Sequence, residues 1–207
     1  MNEALPRGQR ETAVFHRFGL TRFAERFPKD PTTRTLEIAG AVAREVRLAN
    51  ALEGLPRVRQ VSDFHCVTTW SYRALQWEGV RFADFYEQVI APQAAPHPGA
   101  TLVALRGQDG ARTGLLLEDL LAPGVLLADR MNGEWLSVDH GAPLRLIAPA
   151  HYGYKSVKHL SRLEFRKPSE GYRASGFRFM DHPRARVALE ERGRVLPGWL
   201  QIGRAHV

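Results

Sequence analysis

Short apolar runs, each closed by a turn-forming residue, constrain this chain more than any other feature. Residues 35–40 alternate apolar and polar side chains, the pattern of a half-buried strand. Residues 101–106 and 125–128 are compact apolar runs of strand length, and residues 144–147 and 160–165 are further strands. Between them stand Glu53-Gly54-Leu55-Pro56, Gly107-Gln108-Asp109-Gly110 and Asn132-Gly133. The last is a hairpin signal, with Trp135 on the returning strand. One amphipathic helix is predicted, because Phe82, Phe85, Tyr86, Val89 and Ile90 recur at helical spacing. Pro92 is expected to end it. A short helical turn over 117–121 precedes Pro123, and a charged helix is predicted over 187–194. Many short strands with few helices predict an α+β, β-rich single domain of mixed sheets and short helices.

The chain has 207 residues, 44% hydrophobic and 25% charged, ordinary values for a globular domain. Residues 1–12 read as a loose arm, 13–185 as the domain and 186–207 as a tail. Residues 202–207 match the translation of a common sequencing adapter, so the natural C-terminus is expected to be missing. The formal charge is +7, spread over dispersed arginines. Neither zinc-finger spacing nor an aromatic RNA-binding signature accompanies it, so nucleic acid is not the expected partner. A cleft for an anionic ligand uses the same charge. No apolar stretch reaches the ~18 residues that span a membrane. The polar start carries no leader pattern, and the expected location is the cytoplasm.

Chemistry concentrates around Cys66, the single cysteine. It has no partner for an internal disulfide or for a cysteine-rich metal site. Two readings stand open. A free cysteine is often a small buried hydrophobe. At a strand end before a polar turn, here Thr68-Thr69-Trp70-Ser71, it can instead offer a thiolate to a soft metal. His65 is a poor base for it, since neighbours on a strand face opposite ways.

Three stretches carry a resemblance. They are Asp63-Phe64-His65-Cys66-Val67-Thr68-Thr69-Trp70-Ser71 with residues 75–80, then His140-Gly141-Ala142-Pro143-Leu144-Arg145-Leu146, then residues 151–160. Together they resemble the sulfite oxidase-type molybdopterin oxidoreductases, and among these the methionine sulfoxide reductase catalytic subunits. The resemblance spans roughly residues 12 to 185. It implies the fold of that molybdopterin-binding type and a molybdenum–molybdopterin cofactor.

The resemblance also implies roles. Cys66 would be the metal ligand and a catalytic residue, tuned by Thr68. His16, Arg17, His140 and Arg145 would contact the cofactor. Ser156, Val157 and Lys158 would form a phosphate cradle from a hydroxyl, successive amides and a cation. Gly107 falls where reductase-type relatives carry a cofactor-binding threonine, and it offers backbone only. Tyr152 and Asp109 are candidate catalytic residues. Against these stand the plainer readings: a core tyrosine, a turn aspartate, a surface arginine and an ordinary basic loop.

The implied reaction is transfer of an oxygen atom and two electrons to or from a small substrate such as a sulfoxide or N-oxide. Within that resemblance sulfite is disfavoured, because sulfite oxidases keep arginines soon after the ligating cysteine, whereas here Val67 to Tyr72 intervene before Arg73. No Cys-x-x-Cys-His or iron–sulfur pattern is present, so an external electron partner is expected. A monomer is expected. A non-catalytic pterin-binding or carrier module is the alternative, and a basic nucleic-acid-binding domain is a weaker one.

Overall fold

The computed structural model describes residues 4–17 and 25–191. Residues 192–194 of the predicted charged helix and the adapter-like residues 202–207 lie outside them.

The strands are β1 (Arg10–Glu11), β2 (Leu36–Gly40), β3 (Val46–Leu48), β4 (Val58–His65), β5 (Trp70–Arg81), β6 (Leu102–Gly107), β7 (Arg112–Leu116), β8 (Leu126–Met131), β9 (Glu134–Trp135), β10 (Arg145–Ile147) and β11 (Leu160–Arg166). Two short α-helices, α1 (Phe82–Phe85) and α2 (Leu117–Leu120), accompany them. The strands form two mixed sheets. One runs β1-β5-β8-β10, with β4 added on β5 and β9 on β8; the other runs β3-β2-β11-β6-β7. The fold is therefore α+β and β-rich.

Alternation decides which face each strand buries. Ile38, Leu105 and Leu163 are fully buried, and they meet Phe82, Phe85 and Ile90 in the main core. Burying each such side chain contributes about 1.5–3 kcal/mol. A second core gathers Leu75, Trp77, Leu126, Ala128 and Ile147, with Phe15, Phe64 and Tyr72 packed on it. Gly79 sits where β5 meets β8 most closely. A Cβ there would lie 2.0 Å from the Leu127 carbonyl oxygen, so only glycine fits.

Three expectations need correction. Pro92 does not end the helix. After α1 the coil widens to a π-helix over Tyr86–Ala94 with Pro92 inside, and Ala95 N–H closes on Ile90 O at 3.1 Å. The wider turn has room for a ring that an α-turn would reject. Over its described residues the arm is not loose: Arg10–Glu11 pairs in parallel with Trp70 and Ser71. Buried Gln9 ties it down, its side chain bonding Cys66 O and Ser71. The predicted helix at 187–194 is a turn over its described residues 187–190. Ala185 and Val187 are buried there against Val67 and Tyr152, so packing of the domain continues past residue 185. Among the described residues no helix is long and apolar enough to cross a membrane.

Candidate functional site

A cleft lies between the β4–β5 turn, the loop before β10, the segment 153–158 and the irregular chain 171–191. Its empty space is about 940 Å³, open mouth included. Cys66 reaches it because β4 stops at His65 and the chain turns at once. Cys66 N–H bonds Trp70 O at 2.8 Å, and Thr69 N–H returns to Cys66 O at 3.0 Å. Thr69 absorbs the reversal with a φ of 79°. The Cys66 thiol is nearly buried, 3.1 Å from Thr68 Oγ1. Burial pushes its pKa up, and the Thr68 hydroxyl works weakly against that. His65 points away and bonds Ser71 Oγ at 2.7 Å.

Another part of the lining is cationic. Arg145, at the start of β10, is 3% exposed. Its Nη1 donates to His140 O at 2.9 Å. The guanidinium lies 5.2 to 5.7 Å from the ring centres of Phe64, Trp77 and Phe15. Its Nε is buried with no hydrogen-bond partner, and among the described residues it has no carboxylate partner. Burial lowers its pKa to about 9, so it stays charged at neutral pH. Lys158 donates to Asp139 O at 3.3 Å. Burial, then Arg145 and Arg17, lower its pKa to about 8. His140 stacks on Phe15, with centroids 4.9 Å apart, and is held towards its neutral form by burial and by Arg145.

Of the residues singled out from sequence, His16, Cys66, Asp109, His140, Arg145, Ser156, Val157 and Lys158 all line this cleft. Ser156 Oγ accepts from Ala148 N–H at 3.1 Å, which fixes the turn before Val157 and Lys158. Asp109 Oδ1 accepts from Ala111 N–H at 3.0 Å, so it acts as the turn aspartate while still facing the space.

Four fall outside the lining. Thr68 touches the cysteine sulfur rather than the cavity. Arg17 stands behind Asp139, at 3.3 Å, and stacks on Phe27. Tyr152 is fully buried with Val67, Ala185 and Val187. Gly107 lines a neighbouring pocket. A Cβ at Gly107 would stand 2.5 Å from both Asp109 Oδ1 and Lys158 O, so the threonine of the resembling reductases would not fit without a shift.

Sequence reasoning missed several lining residues: Phe15, Phe64, Trp70, Ala111, Arg112, Asp139, Gly153, Ser175 and Met180. A signal existed for Phe64, which stands two residues from Cys66 and so shares its side of the strand. None existed for Arg112, Ser175 or Met180, which long-range packing brings in. Tyr154, weighed beside Tyr152, is the tyrosine that reaches the cleft. Gly153 between them cannot carry a side chain, since its Cβ would meet the Phe64 ring at 2.2 Å.

Among the described residues no three His, Cys, Asp or Glu side chains converge on a metal position. Among its described lining residues the cleft thus offers one thiol, an aromatic and apolar wall, and a buried cationic end.

Comparison with known proteins agrees with this chemistry. The model of the oxidoreductase molybdopterin binding domain matches residues 24–173. The uncharacterized oxidoreductase YuiH of Bacillus subtilis is 38% identical over 140 residues, covering 67% of this chain and 68% of its own. The protein-methionine-sulfoxide reductase catalytic subunit MsrP of Gluconobacter oxydans is 31% identical over 216 residues, covering 85% of this chain and 65% of its own. The sulfane dehydrogenase SoxCD from Paracoccus pantotrophus superposes with a TM-score of 0.56 at 20% identity, over 72% of this chain and 40% of that one. The chain therefore spans about two thirds of the length of these curated relatives.

Proposed function

This chain belongs to the oxidoreductase molybdopterin binding domain family, and from that premise we propose that it is a molybdenum–molybdopterin enzyme reducing a sulfoxide or N-oxide. One observation carries the reading: Arg145 is a buried, charged guanidinium with an unpartnered Nε, facing the same cleft as the Cys66 thiol. Burying a cation costs on the order of several kcal/mol, of which the His140 carbonyl and the rings return a part and a bound anion would supply the rest. A phosphate-bearing pterin does so, and its chelated metal suits a soft sulfur donor. The residues present therefore fit the group.

When bound, molybdenum supplies the two-electron couple for oxygen-atom transfer. The chain's own residues do the rest. Cys66, held as a thiol by burial in the free protein, would contribute a thiolate once the metal binds, and Thr68 Oγ1 at 3.1 Å would hold and tune that sulfur. Arg145 and Lys158 neutralise the anionic end, Ser156 and Val157 shape the turn that presents Lys158, and His140 and Phe15 form a stacked wall. Phe64, Trp70 and Met180 exclude water near the sulfur.

The placement of Arg73 favours a neutral substrate over sulfite. Arg73, the first arginine after Cys66, is turned away and pairs with Glu11 and Asp63 at 3.1 and 3.5 Å. Reducing a sulfoxide consumes two electrons and two protons and releases water. An external donor supplies the electrons, and MsrP, a methionine-sulfoxide reductase by name, supports this substrate class. The test is metal and pterin analysis of protein from a cofactor-competent host, with sulfoxide turnover under an artificial donor. About one molybdenum per chain with turnover is expected. Bound pterin without molybdenum would leave the carrier reading in its place.

A further inference from the structure

The five-stranded sheet carries a row of charges that the chemistry above does not use. Register places Arg112 opposite Arg106, Arg106 opposite Arg162, Arg162 opposite Glu37, and Glu37 opposite Arg47. Residues directly opposite share a face, with Cβ atoms ~4.5–5.5 Å apart. Their alternates, Leu105, Leu163 and Ile38, enter the main core, so the row stands on the outer face.

Three arginines thus lie side by side across β7, β6 and β11, an arrangement that repels. The carboxylates present do not relieve it evenly. Glu37 takes Arg162 and Arg47, and Glu164 takes Arg106 and Arg166. Among the described residues the Arg112 guanidinium makes no ion pair. Nε of Arg106, Arg112 and Arg162 is buried without a hydrogen-bond partner.

The row is also the floor of a pocket of about 1250 Å³, mouth included. Residues 30–35 and the turn 107–111 wall it. Gln108 fastens the two walls, accepting from Asp30 N–H at 3.2 Å and donating to Asp30 O at 3.1 Å. Hydroxyl-bearing Thr33, Thr35, Ser161 and Ser175 line it, and among the described residues no aromatic does. The Asp30 carboxylate is turned to Thr32 and Thr33. Ala111, Arg112 and Ser175 line both this pocket and the Cys66 cleft, so the two adjoin.

We propose that this pocket is a second anion site, built for a phosphate ester or pyrophosphate group. Guanidinium forks and hydroxyls are the donors that recognise phosphoryl oxygens, and bound anion offsets the repulsion within the row. The group has two sources: the tail of a cofactor extended by a nucleotide, entering from the adjoining cleft, or a free phosphorylated metabolite. The site stands on the arginine row, while the first source also rests on the functional reading above.

The experiment titrates pyrophosphate and AMP into cofactor-free protein and into holoprotein, by calorimetry at low salt. Saturable binding is expected, and Arg106→Gln should weaken it about ten-fold or more. Arg59→Gln, a similar loss of charge on exposed β4, should not. Arg162→Lys keeps the charge but loses the fork; it should fold as wild type and also bind more weakly. In cofactor-free protein anions can also enter the Cys66 cleft, and dependence on Arg106 and Arg162 separates the two sites. Binding in both forms supports a free metabolite. Binding only in the cofactor-free form supports a cofactor tail, which mass analysis of the released pterin would then show as a nucleotide. Unchanged affinity in both variants, or no saturable binding in either form, overturns the proposal, whatever the molybdenum content.

Discussion

Replacing Arg145 by methionine separates a ligand-binding cation from a structural one. Burial lowers the Arg145 pKa well below the usual guanidinium range, to about 9. At ~1.36 kcal/mol per pH unit, the desolvation that drives this shift costs the charged form roughly 5 kcal/mol before its contacts are counted. Two contacts offset it. The hydrogen bond to His140 O returns about 1.5–3 kcal/mol. The three aromatic rings return about 1–2 kcal/mol together. A remainder of about 0–2.5 kcal/mol stays unfavourable in cofactor-free protein. Methionine fills much of the same volume and keeps the ring contacts, but strands the His140 carbonyl at a cost of about 1 kcal/mol. The stability of cofactor-free Arg145→Met should therefore lie within about 1 kcal/mol of wild type. A structurally paired arginine would lose about 3–5 kcal/mol on the same change. Pterin retained after gel filtration should fall about ten-fold or more, because a charge-assisted phosphate contact is gone. The assays are urea unfolding of protein from a pterin-deficient host and pterin content of protein from a competent one. A loss of about 3 kcal/mol or more with unchanged pterin would refute the reasoning, since Arg145 would then be a structural charge.

Other outcomes follow from the same geometry. Cys66→Ser should abolish sulfoxide turnover and alter the visible spectrum of the holoenzyme. Its melting should stay near wild type, because a serine hydroxyl can still bond Thr68 Oγ1; full turnover with an unchanged spectrum would remove Cys66 from the chemistry. Lys158 has a folded pKa near 8 against an ordinary 10.5. A lowered base binds fewer protons folded than unfolded, so cofactor-free protein should gain stability from about pH 8 to 10.5. Lys158→Met should flatten that rise in urea midpoints, while pterin uptake by wild type should decline above about pH 8. Lys155 is fully buried and donates to Gly114 O, Tyr172 OH and His182 O at 2.6, 3.0 and 2.5 Å. Lys155→Met should cost about 2–4 kcal/mol by stranding those acceptors, and amide exchange should quicken over residues 171–187. Gly79→Ala should cost upwards of about 2 kcal/mol in urea unfolding, because its Cβ meets the backbone of β8.

What the sequence determined is local. Alternation gave the strand over Leu36–Gly40, and Asn132-Gly133 gave the β8–β9 hairpin, with positive φ at both residues. The turn after His65 was legible in its polar residues, as was the amphipathic coil from Phe82. Resemblance added His140, Arg145 and residues 156–158, each of which reaches the cleft. Tertiary structure decided the rest. Tyr152 and Tyr154 look alike in sequence, yet the 3₁₀ turn at Gly153–Lys155 sends the first into the core and the second to the cleft. Pro92 stops an α-helix but not the wider coil that the core imposes. Arg106, Arg112 and Arg162 are separate charges along the chain. They become one row only through the register of β7, β6 and β11, and register follows from which face each strand must bury.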